Sequence, residues 1–201
     1  MTMKVGLIIV VPLIVLTLLQ SCTKQPLSEG ELKKYVQEEK HGLKKTIRTG
    51  NYNLTVTYKP SDLLVIQELS ERKDTALLAS LQRKYAKNHY FILSIQREGK
   101  EALPEGDNNK FSEVLQTISF RMGDHLNMTM NKDTIPLADY AFSRTFGMAT
   151  STDLLLAFEK KRSKDNQIVQ INLNEFGLNL GDHSFRFGTE ALENIPAVTY
   201  W

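Results

Sequence analysis

Leu126-Asn127-Met128-Thr129-Met130-Asn131-Lys132-Asp133 is the stretch on which the fold turns. Leu126, Met128 and Met130 alternate with Asn127, Thr129 and Asn131, and a period of two places the apolar set on one face of a half-buried strand. Asn131-Lys132-Asp133 then turns the chain. Four further segments, 137–144, 153–161, 167–173 and 184–188, read as strands separated by polar or glycine-bearing turns. Neighbouring strands joined so briefly pair antiparallel. The C-terminal half therefore predicts an antiparallel sheet or small β-sandwich.

Upstream, the period changes. Phe111, Val114, Leu115, Ile118 and Met122 follow helical spacing, which predicts a helix over 109–122 after the loop Pro104-Glu105-Gly106-Asp107. Residues 90–96 are aromatic and β-branched enough for a strand. Two helices precede it. One starts at Asp74 and buries Leu77, Leu78, Leu81 and Tyr85; the other is capped by Ser61 and buries Leu63, Ile66 and Leu69. Tyr52, Leu54, Val56 and Tyr58 alternate again, and Gly50-Asn51 joins them to 43–49 as a hairpin. Ser28 with Glu31 forms a capping box for a first helix, whose apolar side carries Leu32, Tyr35 and Val36. The expectation is one α+β domain over 29–201, its helices mostly N-terminal and packed on the sheet. No repeat or low-complexity block interrupts it.

Composition narrows the function classes. The chain has 25 Lys+Arg against 23 Asp+Glu, a near-neutral balance that gives no footprint for nucleic acid. Cys22 is the one cysteine, so no disulfide and no multi-thiolate metal site can form within the chain. Stability has to come from burial.

The first residues form a separate unit. Lys4 precedes an uncharged run of mainly Val, Ile and Leu up to Leu19, followed by Gln20, Ser21 and Cys22. A basic start, an apolar stretch and a small residue before the cut describe a secretory signal peptide. Leu19-Gln20-Ser21-Cys22 resembles the lipobox of bacterial lipoprotein precursors, although Gln20 is bulkier than the usual residue at its place. The resemblance covers residues 1–22. It implies a signal peptide over 1–21, lipidation of Cys22, and a short lipid-proximal tether over 22–28. Membrane lipid would then be a partner, since more than one acyl chain gives stable anchoring. Thr23 stands where many Gram-negative lipoproteins retained at the inner membrane carry Asp, which by the same resemblance implies the outer membrane. An uncleaved transmembrane anchor is the plainer alternative for the apolar run.

Several motifs outside the leader carry candidate chemistry. Gly-Asp-His occurs twice, before two predicted strands, and Asp124, His125, Asp182 and His183 would supply a mixed imidazole–carboxylate metal set if the two turns met. Gly and Asp are also ordinary turn formers. Ser70-Glu71-Arg72-Lys73 has the Ser-x-x-Lys spacing in which one helical turn sets an amine against a hydroxyl. Lys160, Lys161, Arg162 and Lys164 cluster at a turn, and Tyr200-Trp201 closes the chain with an aromatic pair that either docks or meets a partner. No pattern calls for a cofactor or names catalytic residues. The leading expectation is a membrane-anchored envelope lipoprotein acting as a non-enzymatic binding or assembly module, with an envelope protein as candidate partner. The competing class is a membrane-bound hydrolase whose site is assembled from distant residues.

Overall fold

The computed structural model describes residues 25–104, 106–161 and 167–201. The leader, Cys22, Arg162 and Lys164 lie outside them. In chain order the elements are α1 (Glu29–Gln37), β1 (Lys44–Thr49), β2 (Tyr52–Tyr58), α2 (Ser61–Leu69), α3 (Thr75–Tyr85), β3 (Asn88–Arg97), β4 (Lys100–Glu101), α4 (Asn108–Phe120), β5 (Leu126–Met130), β6 (Asp133–Phe142), β7 (Thr152–Glu159), β8 (Ile168–Leu173), β9 (His183–Gly188) and α5 (Thr189–Glu193).

Eight strands follow one path, β1-β2-β3-β7-β6-β5-β8-β9, and the short β4 pairs with β3. Every pairing between these strands is antiparallel. The sheet is nearly closed. Its end strands β1 and β9 lie against each other, and Thr49 Oγ1 at the end of β1 donates to the carbonyl of Leu180 at 3.3 Å.

The change of direction that curls the sheet falls in β6. Asp133–Pro136 pairs with β5, whereas Leu137 to Phe142 pairs with β7, with an irregularity between Leu137 and Asp139. A bulge adds local twist and bend. Pro136, which has no N–H to give a ladder, stands where β6 passes from one neighbour to the other.

Alternation explains the core. Leu54, Val56 and Tyr58 of β2, Phe91, Leu93 and Ile95 of β3, and Leu154, Leu156 and Phe158 of β7 are buried in one cluster with Met128, Ile171, Phe185 and Phe187 from the other half of the sheet. α1 adds Leu32 and Val36, α4 adds Val114 and Ile118, and α5 adds Leu192.

Two expectations are corrected. The sheet is not confined to the C-terminal half, because the Gly50-Asn51 hairpin and β3 form one flank of it. Nor are the N-terminal helices clearly packed on it: α1 and α2 send Leu32, Val36 and Leu63 into the core, but α2 and α3 pack chiefly against each other, tied by Lys84 Nζ to Glu68 Oε2 at 2.8 Å and by the Tyr85 hydroxyl to the same carboxylate. Helix starts were better readable. Ser28 and Glu31 form the reciprocal capping box, and Asp74 accepts from the Leu77 N–H. Ser61, by contrast, is the first helical residue rather than the cap; Pro60 precedes it, and no side chain caps the helix.

Candidate functional site

The sheet and the first two helices meet at the end of β2, where a cleft of about 670 Å³ opens. Val36 of α1, Leu63, Ile66 and Leu69 of α2, and Ile92 of β3 supply its apolar surface. Lys33, Lys59 and Arg72 supply cations, Glu29 and Glu71 carboxylates, and Tyr58 and Tyr200 phenols. Local chemistry sets each wall. Lys59 follows the last residue of β2 and precedes the Pro60 that starts α2, so the strand-to-helix corner fixes its backbone. Arg72 folds back on the end of α2, its guanidinium donating to the carbonyls of Leu69 and Glu68 at 3.0 and 2.8 Å.

Charge is unevenly spent in this cleft. Lys33 pairs with Glu29 at 2.5 Å. Lys59 donates to the neutral Gln67 Oε1 at 3.2 Å, and no carboxylate of the described residues pairs with it. Burial, with repulsion from Lys33, pulls the Lys59 amine below the ordinary lysine range. A half-desolvated ammonium without a counter-ion favours an anion brought from outside.

A second set of titratable groups lies at the same end of the sheet. Burial, aided by the Asp62 and Glu193 carboxylates, keeps the Tyr58 phenol protonated far above the ordinary tyrosine range. Tyr200 donates its hydroxyl to Asp62 Oδ1 at 2.6 Å and accepts from Gln82 Nε2 at 3.1 Å. Burial and the Asp62 bond push its pKa up to about 12. The C-terminal tail is therefore docked between α2 and α3 through Tyr200, while Trp201 remains 49% exposed. His89 of β3 has its ring 6.0 Å from that of Tyr58, and its Nδ1 is buried without a hydrogen-bond partner among the described residues. Burial and the Lys160 charge lower its pKa to about 4.

The two Gly-Asp-His turns reach the same end of β5 and β9. Leu126 and His183 both lie opposite Leu173, so β8 stands between them, a gap of two strand spacings, about 9–10 Å. The second turn commits its polar side chains locally. Asp182 Oδ1 accepts from the Glu175 N–H at 2.9 Å, the His183 Nε2–H donates to the Leu180 carbonyl at 2.8 Å, and the His125 ring lies beside Phe176. Asp124, His125, Asp182 and His183 are not gathered. Among the described residues no group of three or more His, Cys, Asp or Glu side chains is placed to hold a metal.

The Ser-x-x-Lys spacing loses its geometry as well. Ser70 ends α2 in the left-handed region, φ 46°, and Glu71 follows at φ 66°, so no helical turn joins Ser70 to Lys73. Of the basic turn, Lys161 pairs with Glu159 at 3.1 Å, and Lys160 is half-buried, its amine lowered by burial against the pull of Asp62 and Glu193. None of the four histidines hydrogen-bonds a Ser or Thr hydroxyl among the described residues.

Sequence reasoning missed Glu175. Its Oε1 accepts the N–H groups of Gly177 and Asn179 at 2.7 and 2.8 Å, and its Oε2 that of Gly181 at 2.7 Å. Burial alone would raise this carboxyl, yet the convergent backbone donors hold it below the usual range. The only signal in sequence was a Glu heading a glycine-bearing loop, which carries no motif. Gly177, at φ +105°, is where a Cβ would meet Val114 Cγ2 of α4 at 3.1 Å, so the loop that Glu175 shapes also seats α4. Glu175→Ala is expected to cost about 1–2 kcal/mol, the scale for losing charge-assisted hydrogen bonds to the exposed backbone donors of a loop. Urea denaturation measures it; a loss below about 0.5 kcal/mol, the range of ordinary surface substitutions, would show that the loop holds its shape unaided.

With this geometry in view the chain matches no protein-family model, no curated protein and no solved structure. Its fold defines a mixed helix-and-sheet domain with a large, nearly closed antiparallel sheet.

Proposed function

We propose that the chain is an envelope lipoprotein, held to the outer membrane through acylated Cys22, whose folded part binds a ligand without converting it. The observation that carries the binding half of this reading is Lys59: a half-buried cation without a carboxylate partner among the described residues, beside Lys33, over the apolar side chains of Leu63, Ile66 and Ile92. Such a lining matches an amphipathic anion, its tail against the aliphatic wall and its head on the Lys59 amine. The lipobox-like segment supports the anchor, and α1 starts at Glu29, seven residues after Cys22. At the extended-chain limit of roughly 3.5 Å per residue, the cleft beside α1 lies within about 25 Å of the lipid surface. A protein partner remains compatible with this position, since a cleft beside a membrane can hand its ligand on.

The test has two arms. In cells fed a clickable palmitate analogue, the protein should be labelled and Cys22→Ser should not; unlabelled wild type at full precursor mass removes the anchor. Titration calorimetry with decanoate tests the cleft. Lys59→Gln should weaken binding about tenfold, in the range of one charge-assisted hydrogen bond. Equal heats for wild type and Lys59→Gln, or none for either, would remove the binding assignment.

A further inference from the structure

Segment 195–201 lies beyond α5 and outside the helices and strands, yet it joins two walls of the Lys59 cleft. Val198 and Leu27 form an isolated parallel bridge. The Leu27 N–H donates to the Ala197 carbonyl and the Thr199 N–H to the Leu27 carbonyl, both at 2.8 Å. Because the two stretches run in the same direction, they leave the bridge side by side. Two residues on from Leu27 stands Glu29, the first residue of α1, and two on from Val198 stands Tyr200; both line the cleft. The bridge is a clasp at which the α1 wall and the Tyr200 wall are joined.

Beyond the clasp, side chains take over. The Tyr200 hydroxyl bonds to Asp62 at the start of α2 and to Gln82 of α3, and its side chain packs on the cluster of Val65, Leu69 and Leu81. Leu69 is buried, only 3% exposed, and lines the same cleft. Tyr200 therefore covers an apolar surface that the cleft would otherwise present. The segment itself stays outside: Ala197 and Thr199 are exposed, and Trp201 is half-exposed. A surface stretch fixed by one short backbone bridge and one hydroxyl opens at far lower cost than the strands beneath it, where β2 and β3 alone pair continuously from Tyr52 to Tyr58.

We infer that segment 195–201 is a strap on the Lys59 cleft: clasped at Leu27, it holds Tyr200 against α2 and covers the apolar wall, and release of the clasp opens that wall to a ligand. The lead-in to α1 is the handle of this device, because whatever displaces Leu27 acts on Glu29 and Tyr200 together. The strap controls entry to the binding site of the proposed function and rests on that reading for its use. Its movement is readable without any ligand, and it does not depend on the lipid anchor.

The full chain carrying Cys22→Ser, with a single thiol introduced by Leu69→Cys, tests it by alkylation with iodoacetamide. Thr199→Pro deletes one donor of the clasp and alters no residue of the cleft. It should speed labelling of Leu69→Cys about tenfold, the scale on which one lost hydrogen bond eases a local opening. Thr199→Ala, which keeps the N–H, should leave the rate unchanged. Trp201, the one tryptophan of the sequence, should become more open to acrylamide quenching in Thr199→Pro. Labelling at Gln67→Cys, an exposed position on the same cleft, should not respond. Equal Leu69→Cys rates in Thr199→Pro and Thr199→Ala overturn the inference, and so does a freed Trp201 without faster labelling, since the segment would then move without opening the cleft. If Thr199→Pro does not fold, wild-type hydrogen exchange decides. The Leu27 and Thr199 amides should exchange together and faster than those of β3; exchange only along with β3 overturns the strap. Decanoate should slow labelling at Leu69→Cys. Labelling that Thr199→Pro accelerates and decanoate leaves alone would remove the ligand of the proposed function and uphold the strap.

Discussion

Phe91→Ala is expected to lower the free energy of unfolding by about 3–5 kcal/mol, the range for removing a fully buried aromatic. The reason is where the ring lies. Phe91 belongs to β3, third along the sheet, yet its ring is 5.2 Å from that of Phe187 on β9, the last strand. That contact crosses the interior. The same ring meets Tyr58 edge-on at 5.2 Å and Phe158 at 6.2 Å. One side chain therefore ties the second, third and fourth strands of the path to its last strand across the interior. Its loss leaves a void bounded by rigid strands, which relax little. For a domain of this size the midpoint temperature should fall by roughly 10 °C. Phe146→Ala, the same truncation at a ring 71% exposed, should change stability by less than about 0.5 kcal/mol. Equal effects for the two variants would contradict the burial assigned to Phe91.

The elements were more legible than their arrangement, and the reason is range. Alternation in Tyr52 to Tyr58 and in Leu126 to Met130 reports which face of a strand is buried, and β2 and β5 lie where it puts them. Capping is equally local, so Ser28, Glu31 and Asp74 were readable. What alternation cannot carry is partner choice. β3 lies between β2 and β7, although some 50 residues separate β3 from β7 in the chain. Sequence showed no link between residues 88–97 and 152–159, so the sheet was expected only in the C-terminal half. The short α5 and β4 were missed because five and two residues are too few for a period to show.

The candidate sites were less legible still. Asp182 and His183 looked like ligands because ligands and turn residues share the same side chains; their hydrogen bonds go to Glu175 and Leu180. In sequence Lys59 is only the polar residue that follows the Tyr52 to Tyr58 alternation, and only the fold around it shows that its amine is half-desolvated. His89 gave no signal at all, being one polar residue at the start of an apolar strand. The same side chain now carries the sharpest dependence on solution conditions.

Between pH 7 and pH 4.5 the folded protein should lose about 2–3 kcal/mol of stability through His89. Its imidazole has an ordinary value of 6.5, and in the folded state burial first, then the Lys160 charge, lowers it to about 4. A base whose pKa is depressed by folding stays neutral in the native state while the unfolded chain takes up a proton. Above pH 6.5 both states are neutral and the contribution to stability is complete. Through the window from 6.5 to 4 the unfolded state binds the extra proton, and the contribution is lost as pH falls. The carboxylates held below their usual range, Glu31, Glu38, Glu68 and Glu175, release their share at lower pH and do not overlap most of this window. His89→Gln removes the titrating group while keeping a polar side chain. Chemical denaturation of both proteins at pH 7.0, 5.5 and 4.5 reads the difference directly. The wild type should weaken steadily across the three values, and His89→Gln by less than about 1 kcal/mol. Parallel slopes would mean that the ring is solvated in the native state, and that the pocket formed by Tyr58, Lys160 and β3 is open to water.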